Sequence, residues 1–350
     1  MLNYLIRRIL YMVPILLGVM LITFLLFNVV NTPRQMAYRM LGPKASQQAI
    51  DNWLNNHGYL DKKGRELPLF FNLRVSDWRN LPRIHIAHWN VEIDLSNSML
   101  DSLYFRSMQR FVKFDLGTSF ATNEPVLTML KRGAIPSLCI TLPAFVVGLF
   151  LSLSAALLLV FVRDSLIDRW GTVLCVASMS IPITVYVIFG QWIAANLLNW
   201  FPTFGFNLEG LSTARFVALP VAIMILSGLG ADVRMYRAIF LEEARAEYIR
   251  TAQAKGASHA RVLLVHMLKN GMISLITLIV AALPFLIMGT LVLESFFGIP
   301  GLGNLMTNAI QTSDFGVIQA DVYLGSLLYL FGLLLTDLCY AAADPRIRLQ

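Results

Sequence analysis

Charged residues are scarce in this sequence. Asp, Glu, Lys and Arg make up 14% of the 350 residues and hydrophobic residues 57%, whereas soluble domains carry about 25% charged residues. This balance excludes an ordinary soluble domain and is typical of a protein with several membrane-spanning segments. The net charge of +7 does not indicate nucleic-acid binding, because a basic excess in such a chain marks the loops that stay in the cytoplasm.

Cysteine and catalytic motifs are scarce as well. The three cysteines lie in apolar runs without paired spacing, which excludes a disulfide framework and a zinc cluster. The sequence contains no GxxxxGKS/T phosphate loop, no HExxH and no GxSxG, so we predict no catalytic residue and no nucleotide hydrolysis by this chain. We predict no metal site, since His85 and His88 lack a third ligand and are typical of an ordinary surface.

Six apolar stretches are long enough to cross a bilayer, whose hydrocarbon core needs about 20 residues per helix. They are residues 9–30, 135–162, 172–198, 216–240, 272–296 and 320–342. We therefore predict an all-α membrane protein with six transmembrane helices. The first five contain prolines, at Pro14, Pro143, Pro182, Pro220 and Pro284, which either kink the helices around a gated pathway or are the ordinary prolines of membrane helices.

Lysine and arginine indicate the orientation. Residues 199–214 and 295–319 contain neither, whereas the other short loops are basic. Both termini are therefore predicted to be cytoplasmic. Residues 31–134 are predicted to lie outside, because loops longer than about 60 residues cross the membrane largely regardless of charge.

The long external segment is rich in aromatic residues, which predicts a packed cap. Within it, residues 46–56 are predicted to be helical. Residues 84–95 alternate with a period of two that breaks near His88, which predicts strands.

Residues 232–269 are too charged to enter lipid, because each charge at the bilayer centre costs roughly 2.5 to 3.5 kcal/mol. We place them in the cytoplasm between the fourth and fifth helices. Residues 242–255 and 260–268 are composed of helix formers, and Gly256 separates them. The pattern predicts helix, glycine turn, helix.

The residues leave two interpretations of this segment open. Ala252 and Gly256 lie four residues apart, beside Ala254 and Ala257, so that another backbone can approach this face closely. The segment is then a docking surface for a protein partner, with Arg250, Lys255, His259 and Arg261 at its rim. Alternatively, it is an amphipathic loop that caps the membrane surface.

The stretch 247–270, EYIRTAQAKGASHARVLLVHMLKN, resembles the cytoplasmic coupling motif of ATP-binding-cassette importer permeases. The strings YLIRRIL, FDLGTSF, SMSIPITVYV, ESFFGIPGLGNLM and DLCYAAADPRIR extend the resemblance over nearly the whole chain, within the dipeptide, oligopeptide and nickel branch. Arg250 and Lys269 depart from the motif, which has an acidic first residue and a final proline.

The resemblance implies a permease subunit that imports di- or oligopeptides across the bacterial inner membrane. The residues implied in coupling to an ATPase are Ala252, Lys255, Gly256, Ala257, Ser258, His259 and Arg261. The implied partners are a homologous second permease subunit, two cytoplasmic ATPase subunits that bind ATP and Mg, and an extracytoplasmic solute-binding protein. No cofactor is implied for this chain itself.

The resemblance also divides the chain into domains. It implies an anchor helix 1–30, an external cap 31–134 and a permease core 135–342 that includes the coupling segment 242–270. Residues 343–350 form a cytoplasmic tail. Residues 73–101 look inserted relative to the family, and we expect them to contact the binding protein or the substrate entrance.

Two sets of residues are candidates for the transport pathway. Ser180, Thr184 and Gln191 recur on one face of the third predicted helix, where they either line a pore or bond to a neighbouring helix. The second set lies in the stretch 297–303, FGIPGLG, which is too glycine-rich for a helix and is expected to shape an external gate. Its candidate residues are Gly298, Pro300, Gly301 and Gly303.

Two alternative functions stay open. One is an importer of nickel or another small solute in the same family. The other is a self-contained secondary carrier, which would need carboxylates or histidines at mid-membrane. Asp232, Glu294 and Asp337 fall near the ends of the predicted helices, which disfavours the carrier.

Overall fold

The computed structural model describes residues 2–28, 32–60, 64, 66–68, 73–74, 92–93, 102–208 and 210–343. Contacts divide the chain into two compact units. The first comprises Met1–Leu10, Met129–Asn308 and Leu324–Gln350, and the second comprises Tyr11–Thr128 and Ala309–Tyr323. His85, His88, most of the insertion 73–101 and the tail 344–350 lie outside the described residues.

The described residues are mainly helical, as predicted. The elements are α1 (Leu2–Asn28), α2 (Pro33–Leu41), α3 (Gln47–Asn56), β1 (Leu73–Arg74), β2 (Glu92–Ile93), α4 (Leu103–Val112), α5 (Val126–Phe161), α6 (Leu166–Met179), α7 (Ile183–Gly190), α8 (Leu211–Glu243), α9 (Glu247–Ala254), α10 (His259–Arg261), α11 (Leu268–Met288), α12 (Leu291–Phe297), α13 (Leu302–Thr312) and α14 (Phe315–Ala343). A π-helical segment, Gln191–Leu197, continues α7, and another, Val262–Met267, joins α10 to α11. Strands β1 and β2 pair antiparallel, with Leu73 opposite Ile93.

Within the described residues, five segments are long and apolar enough to cross a membrane: Ile6–Asn28, Val126–Phe161, Ser212–Glu243, Ser274–Phe297 and Phe315–Cys339. The third predicted helix is not continuous. Its two halves, Leu166–Met179 and Ile183–Leu197, are bent by 92°. The predicted six spans are obtained only when this bent pair counts as one.

Pro182 lies at this bend, at the N-cap of α7, where its missing N–H costs no helical bond. The hydroxyl of Tyr186 donates to the carbonyl of Ser178 across the break, at 3.0 Å. The other four prolines, Pro14, Pro143, Pro220 and Pro284, lie inside α1, α5, α8 and α11, which continue through them. A kink at these four stays a prediction.

Helix α8 packs closely against both halves of the bent pair. A Cβ at Gly230 would come within 2.6 Å of the Cys175 carbonyl oxygen, and a Cβ at Gly190 within 2.7 Å of the Ile223 side chain. Small residues permit such close helix contacts in membranes. The two glycines therefore fix how the bent pair lies on α8.

The second unit contains the FDLGTSF string, and Asp314 holds that string in place. The Asp314 side chain is only 2% exposed. Its carboxylate accepts hydrogen bonds from the Ser119 hydroxyl and from the amides of Phe120 at 3.0 Å and Ala121 at 3.3 Å. It also caps α14 by accepting from the Val317 amide at 3.4 Å. One buried carboxylate thus joins the loop to the start of α14.

We predict that Asp314→Ala destabilises the protein by about 2 to 4 kcal/mol, because it leaves several buried donors without an acceptor. Thermal unfolding of the purified protein in detergent measures the change. Asp115→Asn is the matched control, since that exposed carboxylate accepts from the Gly117 amide at 3.1 Å. Equal unfolding temperatures for the two variants would contradict the role of Asp314.

Candidate functional site

The first part of the predicted coupling segment is two helices rather than one. Helix α8 ends at Glu243, a short turn follows, and α9 begins at Glu247. The predicted single helix 242–255 is therefore wrong at its start. The Tyr248 hydroxyl donates to the Glu243 carboxylate across the turn. Burial, and then this hydrogen bond, raise the pKa of Tyr248, so the phenol stays protonated and the contact persists.

Gly256 ends α9 in a left-handed conformation, with φ of +82°. The Gly256 amide donates to the Gln253 carbonyl at 2.9 Å, and the Ala257 amide donates to the Ala252 carbonyl at 3.1 Å. These two bonds form a Schellman cap, in which glycine is favoured because it adopts positive φ without strain. The spacing from Ala252 to Gly256 is therefore the spacing of a helix end.

This cap corrects one sequence-based interpretation. Ala252 and Gly256 do not share a helical face, because α9 ends at Ala254. Ala252 and Ala257 are partly buried against the protein's own apolar cluster rather than open to another backbone. Gly256 itself is exposed, and a Cβ there would meet nothing within 4 Å. Gln253 and Ala254 are also exposed, so the last turn of α9 and the tip of the turn that follows it are both open to a partner.

The second helix of the segment is present as predicted, but it is partly π-helical. Ser258 caps α10 by accepting from the Arg261 amide at 3.4 Å. The following π-helical residues bury Val262, Leu263 and Met267, whereas Leu264 and Val265 are exposed. Within these six residues, three side chains therefore point into the protein, along a helical turn that is wider than an α-helical turn.

These buried residues tie the segment to the membrane-spanning helices. Ile249 of α9 and Val262 and Leu263 of the π-helical segment belong to one buried cluster. The same cluster contains Tyr236 and Phe240 of α8 and Ala156, Leu159 and Val160 of α5. Protein interiors are close-packed and transmit strain. The segment is therefore packed, through this cluster, directly against α5 and α8.

The exposed tip carries positive charge only. Lys255, Ser258, His259 and Arg261 are exposed, and residues 248–270 contain no Asp or Glu. The His259 ring lies 5.2 Å from the ring of Phe161 at the end of α5. The tip is thus suited to an acidic surface.

A buried ion pair near this cluster was missed from the sequence. Arg237 of α8 donates from Nε and Nη2 to both oxygens of Asp168, at 2.9 and 2.8 Å. Asp168 lies in the first turn of α6, whose N-cap is Ser165. The two residues are far apart in sequence, so no local pattern predicts the pair. It fixes the start of α6 to α8.

The proposed pathway residues do not share a helical face, because the 92° bend separates Ser180 from Thr184 and Gln191. The Ser180 hydroxyl donates back to the Val176 carbonyl at 3.0 Å. The Gln191 amide nitrogen donates to the carbonyls of Thr203 at 3.1 Å and Phe296 at 3.3 Å. Their role in lining a pathway stays a prediction.

The predicted gate loop is shorter than its sequence indicated. Gly298, with φ of +65°, ends α12, and α13 begins at Leu302, so Gly303 is helical rather than in the loop. We call residues 298–301 the gate turn. Its glycines are crowded, since a Cβ at Gly298 would lie 2.2 Å from the Phe204 ring and one at Gly301 would lie 2.3 Å from Oε2 of Glu294.

Glu294 lies beside the gate turn and is completely buried, with 0% exposure. Its Oε1 accepts from the Ser137 hydroxyl and the Thr290 amide, both at 2.9 Å, and its Oε2 accepts from the Asn304 amide at 3.0 Å. The Ser137 oxygen accepts in turn from the Leu302 amide at 2.8 Å. The position of Glu294 near a span end was visible in the sequence, but these partners were not.

Among the described residues no group of three or more His, Cys, Asp or Glu side chains is placed to hold a metal ion. The candidate functional regions described above are the exposed basic tip and the gate turn.

Comparison with known proteins gives consistent results. Residues 144–349 match the family described as binding-protein-dependent transport system inner membrane component. A glutathione transport system permease protein of Shigella flexneri is 28% identical over 348 residues, which cover 99% of both chains. A similar protein of Salmonella typhimurium matches at the same identity and coverage. A putative peptide transport system permease protein of Brucella abortus is 32% identical over 238 residues, covering 67% of this chain and 76% of the relative.

We predict that Gly256→Ala loosens the Schellman cap by about 1 kcal/mol, or about fivefold in local opening, because alanine is strained at positive φ. Gly256→Asn should cost less, since asparagine tolerates this conformation. Hydrogen exchange of a peptide spanning residues 250–262 measures the opening. Gly148→Ala, which would make only an ordinary 3.8 Å contact with Ile225, is the control. Equal hydrogen exchange in all three variants would contradict the assignment of Gly256 to a Schellman cap.

Proposed function

Because the chain belongs to the family of inner membrane components of binding-protein-dependent transport systems, we propose that it is the permease subunit of an ATP-driven peptide importer. Its apolar helices make it a multi-pass membrane protein. Relatives named as glutathione and peptide transport permeases support a peptide as the substrate. Glutathione is itself a tripeptide, so both names point to short peptides.

We propose the following assembly around this chain. Transporters of this family work with a solute-binding protein and an ATPase. In our proposal the chain pairs with a second, homologous permease subunit, and two ATPase subunits bind ATP and Mg outside this chain. The absence of a GxxxxGKS/T loop from the sequence supports that division of labour.

The proposed orientation places both termini and the coupling segment 242–270 in the cytoplasm. Residues 31–134 then face the binding protein on the other side of the membrane. The distribution of Lys and Arg supports this orientation, since residues 199–214 and 295–319 contain neither. It requires the bent pair of α6 and α7 to count as one span, so that the number of crossings is even.

The observation that carries the proposal is the coupling segment's combination of an open basic tip and a buried apolar base. Gly256, Lys255 and Arg261 are exposed at the tip, whereas Ile249 and Val262 are buried among residues of α5 and α8. Charge complementarity favours an acidic groove on the ATPase. The packed base then converts movement of that ATPase into movement of the spans.

We predict that Gly256→Asn keeps the local fold but abolishes binding of the ATPase subunits and peptide uptake, because its side chain occupies the open tip. Gly58→Asn is the matched control, since Gly58 has φ of +74° and a Cβ there would also meet nothing within 4 Å. Co-purification of the ATPase subunits and ATP-dependent uptake of labelled peptide into proteoliposomes measure the two effects.

The control variant should transport as the unmodified complex does. Normal uptake by Gly256→Asn would exclude the coupling role. Uptake by the purified chain alone under an ion gradient would instead identify a secondary carrier. ATP-dependent uptake of nickel, but not of peptides, would show that the chain belongs to an importer of nickel rather than of peptides.

A further inference from the structure

Glu294 is a carboxylate that lies entirely inside the protein, within the apolar segment Ser274–Phe297. Its hydrogen-bond partners in the described structure are neutral: the Ser137 hydroxyl and the backbone amides of Thr290 and Asn304. Ionisable residues inside membrane segments are costly and are functional candidates by default. Neither the proposed coupling nor the proposed substrate recognition uses this one.

The direction of each bond shows which form of Glu294 fits. The amides of Thr290 and Asn304 can only donate, and each points to a different oxygen. The Ser137 oxygen accepts from the Leu302 amide, so its hydroxyl hydrogen is available for Glu294. Both oxygens therefore act as acceptors, which an ionised carboxylate satisfies. An amide would place an N–H group against one of these donors, and a protonated acid would need an acceptor for its own hydrogen.

The residues around Glu294 are tightly packed, and three glycines make this packing possible. A Cβ at Gly289, where φ is +72°, would lie 2.2 Å from Oε1, and a Cβ at Gly301 would lie 2.3 Å from Oε2 and 2.5 Å from the Ser137 oxygen. A Cβ at Gly133 of α5 would lie 3.2 Å from the Gly301 carbonyl carbon. The gate turn is thus pressed against α5 with the carboxylate between them.

We propose that Glu294 is a positioning residue for the transport cycle. Its ionised carboxylate holds the gate turn against α5, so that α5, α12 and the start of α13 move as one body. The gate then opens when this body moves, and the turn does not act as a separate flap. The inference rests on the proposed import function and adds a mechanism for its gate.

The test uses the complete transporter reconstituted in proteoliposomes, with peptide uptake and ATP hydrolysis measured together. Glu294→Gln is expected to lower peptide imported per ATP hydrolysed by about tenfold, because one lost charged hydrogen bond is enough to free the turn. Ser137→Ala and Gly301→Ala should act in the same direction. If Glu294→Gln does not assemble into the complete transporter, the peptide imported per ATP hydrolysed by Ser137→Ala tests the proposal instead.

Thr336→Val is the matched control. It removes a buried hydroxyl that donates within its own helix, to the Gly332 carbonyl at 2.9 Å, and it does not touch the Glu294 network, so the ratio of peptide imported to ATP hydrolysed should not change. If all variants lower uptake and ATP hydrolysis in equal proportion, Glu294 is merely structural and the proposal is wrong. If the unmodified complex imports no peptide, the proposed function fails instead.

An infrared difference spectrum between the unmodified protein and Glu294→Gln tests the ionisation directly. We expect the variant to lose a carboxylate band. Loss of a protonated carboxylic acid band would overturn the proposal, because the geometry would then not require an acceptor-only group at this position.

Discussion

A backbone amide within hydrocarbon has no water to bond, so irregular chain is tolerated there only where other protein atoms satisfy it. The segment Ser274–Phe297 leaves the helix at Gly289 and Thr290, and the Thr290 amide is satisfied by Glu294. The Leu302 amide, at the start of α13, is satisfied by Ser137. Without this serine and this carboxylate, the amides on either side of α12 and the gate turn, those of Thr290 and Leu302, would be unpaired donors inside the protein.

The same constraint accounts for the bend between α6 and α7. Pro182 has no N–H to lose, and Tyr186 supplies a donor for the Ser178 carbonyl across the break. Helix α8 then holds the bent pair through close approach at Gly230 and Gly190. A bend of 92° is therefore compatible with an apolar surrounding, because the proline lacks a donor and the Ser178 carbonyl has one close by in the chain.

The sequence predicted the elements that depend on composition and local pattern. The apolar stretches, the helix 46–56 and the glycine at the end of α9 follow from residue types within a few positions. Contacts between distant residues were not predictable from one sequence. Arg237 with Asp168, Asp314 with Ser119 and Glu294 with Ser137 join segments far apart in the chain, and no local period encodes such pairs.

The alanine and glycine of the coupling motif show how one spacing can arise from two causes. Their separation by four residues is equally expected for a docking face and for a Schellman cap, and here it belongs to the cap. The spacing alone therefore supports a sharp turn, not a partner.

Docking of a partner depends instead on which residues the turn leaves exposed. Lys255 and Arg261 lie at an open tip, and Ile249 beneath them is packed against α5 and α8. A surface loop that only covered lipid would need no such rigid connection to the spans, which favours a mechanical role for the segment.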